Sequence, residues 1–207
     1  MDYNLVLLIL LQRKAAKIDE CENVPAKVSI PKKIKKGKID PEQVRSEHNI
    51  LVDGSDVNCP ITSFDSLKIA PYLKENLRKS GYQQPTPIQM QAIPLMLDQR
   101  DIIGCAPTGS GKTLAFLLPI INQLASPKKV GFRAIILVPT RELAKQIHRE
   151  CIWLSEGSQL RVHLIRNTGL ASKKFSSDSS LKYDILITTP QRLEFLLKQD
   201  PPAINIE

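Results

Sequence analysis

Residues Ala106-Pro107-Thr108-Gly109-Ser110-Gly111-Lys112-Thr113 break an apolar stretch with glycines, hydroxyls and one lysine. An apolar run at residues 101–105 leads into them, and Leu114, Leu117 and Leu118 follow at helical spacing. Strand, glycine-rich turn and helix in that order present consecutive backbone N–H groups at a helix N-terminus, where partial positive charge gathers anions. Lys112 is then placed to reach the terminal phosphates of a nucleotide, and Thr113 to offer its hydroxyl to Mg²⁺. Ala106 stands where the usual phosphate-loop pattern begins with Gly. The plainer reading of such a motif is an ordinary glycine turn; here the flanking strand and helix favour phosphate binding. The dinucleotide pattern G-x-G-x-x-G is absent, which argues against a nicotinamide or flavin enzyme.

The texture beyond Ile61 is that of apolar strands alternating with helices, which predicts an α/β fold with a parallel sheet flanked by helices. Strands are expected at 101–105, 134–138, 161–165 and 184–188. Helices are expected at 69–79, 87–97, 111–124, 140–155 and 190–198, each with apolar residues three or four apart. Residues 1–59 read instead as a basic, largely unstructured arm before the domain at 60–207, because they mix charge with Pro and Gly and lack a sustained period. The arm carries Lys32-Lys33-Ile34-Lys35-Lys36-Gly37-Lys38, a nuclear address, a phosphate-binding patch or simply a solvated linker. Its apolar run at 5–11 is too short for a membrane span and lacks a basic leader, so no membrane association is expected and a short amphipathic helix is the preferred reading.

With 29 Lys and Arg against 21 Asp and Glu, the formal charge is +8, which favours an anionic partner, nucleic acid foremost. Cys21, Cys59, Cys105 and Cys151 lie far apart with no metal-ligand spacing, and read as reduced thiols.

Upstream of the loop stands Gly81-Tyr82-Gln83-Gln84-Pro85-Thr86-Pro87-Ile88-Gln89. Thr86 as N-cap, Pro87 at the first helical position and Gln89 at N3 make a capping box. A Gln amide also matches the donor and acceptor of adenine N6 and N7, and an aromatic such as Tyr82 can stack on a base. Both readings stand on the residues alone. Downstream, the runs ending in Pro139-Thr140-Arg141-Glu142-Leu143 and Thr189-Pro190-Gln191-Arg192 each pass from an apolar strand through a Thr cap into a helix. In a parallel sheet both helix mouths open at the carboxyl edge with the phosphate loop, where such sheets bind ligands. Each Thr taken alone is as well explained as a simple cap.

In this order the segments resemble the motifs of DEAD-box RNA helicases. Residues 62–90, including the isolated aromatic Phe64, resemble the Q motif, with residues 50–54 and 60–61 similar to its lead-in. The two Thr-capped segments resemble the P-T-R-E-L and T-P-G-R elements. Gln191 stands where the family has Gly, and Asn167-Thr168-Gly169 where it has a Gly-Gly pair.

The resemblance implies a RecA-like domain of the P-loop NTPase class that binds ATP or ADP with Mg²⁺ at Ala106, Pro107, Thr108, Gly109, Ser110, Gly111, Lys112 and Thr113. It implies that Gln89 reads adenine and that Phe64 and Tyr82 pack about the base. It further implies an RNA backbone held by Pro139, Thr140, Arg141, Gly169, Thr189, Pro190 and Arg192, with Lys173, Lys174 and Lys182 nearby. The wording at 110–150 and 173–192 is most similar to the subfamily serving ribosome assembly, which implies rRNA processing, pre-ribosomal protein partners and a nuclear, nucleolar setting. The sequence reaches Glu207 without a D-E-A-D strand, an S-A-T segment or a second RecA-like domain. It is therefore expected to bind nucleotide without turning it over, since phosphoryl transfer needs positioned metal, base and arginine. For the same reason the strand at 101–105 is expected to stand apart from the other three, with an unpaired edge prone to association. The rival readings are a non-catalytic ATP- and RNA-binding isoform and a different P-loop enzyme such as a kinase.

Overall fold

The computed structural model describes residues 40–129, 132–166 and 183–199. The lysine run at 32–38, the apolar run at 5–11, Gly169, Lys173, Lys174 and Lys182 lie outside them. The described elements, in chain order, begin with α1 (Pro41–Glu47), a 3₁₀ turn (Phe64–Ser66), α2 (Pro71–Lys79), α3 (Pro87–Leu97) and α4 (Lys112–Leu124). They continue with β1 (Ala134–Leu137), α5 (Arg141–Leu154), β2 (Val162–Leu164), β3 (Ile185–Thr188) and α6 (Pro190–Leu197). Proline opens α1, α2, α3 and α6, where its missing N–H leaves no helical bond unmade. Thr140 Oγ1 accepts from Leu143 N at 3.2 Å and so caps α5. These signals account for helix boundaries within two residues of those expected.

The strands form a parallel sheet in the order β1-β3-β2, with Ile136 opposite Ile187 and Leu164 opposite the same residue from the other side. Every residue of the central strand β3 is buried. Successive side chains leave opposite faces. Ala134, Ile136, Ile185 and Ile187 join the main core with residues of α2, α3, α4 and α5, while Ile135 and Leu186 meet Leu193 and Leu196 of α6. A sheet covered on both faces explains why its strands read as continuous apolar runs. The amino edge is pinned by Asp184, whose carboxylate is fully buried. It accepts from Arg133 Nη2 (2.9 Å), Arg161 Nε (3.0 Å) and the backbone N–H groups of Lys128 (3.0 Å) and Arg161 (3.1 Å). Burial alone would raise its pKa; these bonds outweigh burial and hold it below the ordinary carboxylate value.

Two expectations are corrected. Residues 101–105 form no strand, and among the described residues no backbone hydrogen bond joins them to the sheet. A strand exists through its neighbour, so an apolar run without a paired partner stays irregular. Ile102 packs against the main core while Ile103 is 91% exposed. The arm expected at 1–59 is corrected only in part: residues 1–39 lie outside the described residues, and from Asp40 the chain packs against α3. Arg45 Nε donates to Gln91 Oε1 (3.0 Å), and both Arg45 Nη2 and Gln91 Nε2 reach the Asn58 carbonyl (3.0 and 2.9 Å). Arg100 donates to the carbonyls of Asp56 and Ser55, and Ile61 N to Met90 O. The segment is a strap across α3 held by side chains, which hydrophobic periodicity does not register.

Candidate functional site

The phosphate loop sits at the N-terminus of α4, and its shape depends on two left-handed glycines, Gly109 at φ +80° and Gly111 at φ +86°. At Gly111 space adds to conformation, because a Cβ there would lie 2.3 Å from Gln89 Nε2. Gln89 is fully buried. Its Oε1 accepts from Thr86 N at 3.0 Å, the N3-to-cap half of a capping box, and its Nε2 donates to Gly111 O at 3.0 Å. The Thr86 hydroxyl donates to Ser110 O at 2.7 Å. Two residues at the mouth of α3 therefore grip the loop from behind.

Lys112 Nζ folds back to donate to the carbonyls of Ala106 (2.5 Å) and Pro107 (2.8 Å). The Ser110 hydroxyl is buried without a partner. A buried hydroxyl lacking a bond and an ammonium satisfied by loop carbonyls alone suit a loop that accommodates an anion, since each gains a stronger, charge-assisted partner there. Thr113, second in α4, is half-buried beside Lys112. These residues fit a phosphate-bearing ligand with a divalent cation.

At the carboxyl edge of the sheet, β1 leads to the Thr140 cap of α5 and β3 to Thr189 at the mouth of α6. Arg192 Nη1 donates to Ile165 O at 2.7 Å, fastening α6 to the end of β2. Burial lowers the Arg192 pKa, and the charge of Arg141 lowers it further. Arg141 itself is exposed. Two cations and two helix N-termini on one edge form an anion-attracting surface.

The structure thus brings Gln89 to Gly111 and Lys112, and Thr140 and Arg141 to Thr189 and Arg192. Pro139 and Pro190 flank the helix mouths, and Gly169 lies outside the described residues. Phe64 is 6% exposed and packs in the main core. Tyr82 stacks one face on Trp153, with ring centroids 6.0 Å apart and planes at 15°. Sequence reasoning missed the Thr86–Ser110 bond, because a Thr before Pro reads completely as a cap.

Residues 86–205 match the family model described as DEAD/DEAH box helicase. The chain is 52% identical over 190 residues to the "Probable ATP-dependent RNA helicase DDX52" of Mus musculus, covering 87% of this chain and 32% of that protein. It is 43% identical over 170 residues to the "ATP-dependent RNA helicase ROK1" of Eremothecium gossypii, covering 76% and 30%. Among solved structures, the RNA helicase Prp28 from Chaetomium thermophilum bound to ADP superimposes with a TM-score of 0.72 at 31% identity, covering 84% of this chain and 44% of that one. The chain spans about a third of the length of the curated relatives it matches.

Proposed function

The chain belongs to the DEAD/DEAH box helicase family, and from that premise we propose that it is the nucleotide-binding part of an ATP-dependent RNA helicase. The observation that carries the reading is the loop at Gly109, Ser110, Gly111 and Lys112, with its left-handed glycines, orphan hydroxyl and inward-folded ammonium. On this reading ATP or ADP is held by residues 106–113, and Thr113 contributes a ligand to the accompanying Mg²⁺. Gln89 selects adenine. Its amide keeps one N–H and one lone pair beyond the bonds to Gly111 and Thr86, the donor and acceptor that adenine requires. RNA lies along the edge marked by Pro139, Thr140, Arg141, Thr189, Pro190 and Arg192, through its phosphates and without base readout. The similarity to the ribosome-assembly subfamily supports rRNA processing in the nucleolus, alongside pre-ribosomal proteins and a second RecA-like domain.

Titration of labelled ADP against wild type and Lys112→Ala tests the loop. The substitution is expected to weaken binding by about 1.5–3 kcal/mol, roughly tenfold to 150-fold, because it deletes a charge-assisted hydrogen bond to phosphate. Equal affinities would show that the loop does not hold the nucleotide. Gln89→Glu is expected to shift the ratio of ADP to GDP affinity; an unchanged ratio leaves Gln89 as a cap and loop anchor alone.

A further inference from the structure

A depression of about 360 Å³ lies between α5 and the edge strand β2, remote in sequence from the phosphate loop. Leu164 forms apolar lining, and Lys145, Arg149 and Arg166 bring three cations against one carboxylate, Glu142. Among the described residues none of these four charged side chains makes an ion pair. Lys145 and Arg149 stand at i and i+4, a spacing at which like charges repel unless an anion lies between them. His148 completes the lining. Burial, and then the charge of Arg166, lowers its pKa, so at neutral pH it presents an uncharged imidazole with one N–H to donate.

The depression is not isolated from the edge already described. Arg141, Lys145 and Arg149 follow one another at four-residue steps along α5, about 6 Å per step along the axis, and all three are exposed. A row of cations at even steps, ending in a concavity, matches a regularly charged polymer better than a single phosphorylated side chain. We propose that the α5–β2 depression is a phosphate subsite for single-stranded RNA, which continues the backbone path from Arg141 along α5 to Lys145, Arg149 and Arg166. The inference rests on the reading of the Arg141 edge as an RNA surface and extends that surface by about two helical turns.

The test is fluorescence anisotropy of a labelled oligouridylate with the full chain over a range of KCl concentrations. Lys145→Gln with Arg149→Gln is expected to weaken binding and to flatten the slope of log K against log salt by about 0.7 for each phosphate no longer neutralised. Arg166→Gln should act in the same direction, and Arg141→Gln should do so through a phosphate of its own. If the double variant keeps the wild-type affinity and slope while Arg141→Gln lowers both, the path ends at Arg141 and the subsite is refuted with the RNA edge intact. Wild type without measurable binding, or no effect from any of the variants, refutes the edge and the subsite together. Competition by a phosphoserine peptide that depends on Lys145, with RNA binding indifferent to it, assigns the depression to a protein partner and also refutes the proposal. Because the substituted side chains are exposed, unchanged melting temperatures serve as the folding control.

Discussion

Asp184 holds three strand beginnings with one carboxylate, and each partner it loses leaves a donor without an acceptor. Asp184→Asn is expected to lower the free energy of unfolding by about 3 kcal/mol, the lower end for a buried pair, because Arg133 and Arg161 retain some access to water. The pH dependence follows from the direction of the shift. A carboxylate held below its unfolded value of about 3.9 contributes fully above that value and loses its contribution as pH falls through the folded one. Urea melts should therefore separate wild type from Asp184→Asn at pH 7 and bring them together below about pH 4; a constant separation would show that packing, not charge, carries the effect. At the loop, Gln89→Glu separates two roles of one amide. The carboxylate still accepts from Thr86 N, but it meets Gly111 O with an acceptor instead of a donor. Faster amide exchange across residues 108–113 with α3 still protected is the expected result, and loss of α3 protection would show that the bond to the loop sustains the helix.

Ile102-Ile103 and β3 are both apolar runs, yet they meet opposite fates: the first, between Asp101 and Gly104, has no paired neighbour, and β3 lies between two. Ile103 is 91% exposed whereas Ile187 is wholly buried. Ile103→Lys should therefore change stability by no more than about 0.5 kcal/mol, while Ile187→Ala should cost about 2–5 kcal/mol. Chemical denaturation of both variants checks the contrast, and a costly Ile103→Lys would mean that this run is buried in solution. The same pair shows what the sequence makes legible. Helices announced themselves by period, by Pro at the first position and by Thr caps, and three of four strands by apolar runs between turns. Pairing is a long-range property, however, so whether a run such as Ile102-Ile103 finds a partner is not written within it. The site divides in the same way: the glycines and Lys112 are local and were legible, whereas the burial of Phe64 and the grip of Thr86 on Ser110 depend on residues brought from elsewhere.

The strap at residues 40–61 ties the start of the described chain to α3, and so to the elements that grip the phosphate loop. Arg45 supplies one part of that tie by donating to Gln91, and it also closes the strap on itself through the Asn58 carbonyl. Arg45→Ala should release residues 48–59 to limited proteolysis and lower the melting temperature by several degrees, since loss of about 1–3 kcal/mol acts on a domain of this size. Unchanged cleavage would show that the Arg100 bonds to Ser55 and Asp56, with the Gln91 bond to Asn58, hold the strap without Arg45. At the other side of the molecule, the four residues of β3 run between Asp184 and the Thr189 mouth of α6, a distance of about 13 Å. That strand is a short rod whose two ends are both fastened, one by the salt-bridged Asp184 carboxylate and the other by the backbone bonds from Val138 N to Thr188 O and from Ile165 N to Ile187 O. A rod fastened at both ends transmits displacement instead of absorbing it, so a pull at the Thr188 end reaches the Asp184 network at the far edge, and the sheet resists the motion as a single piece.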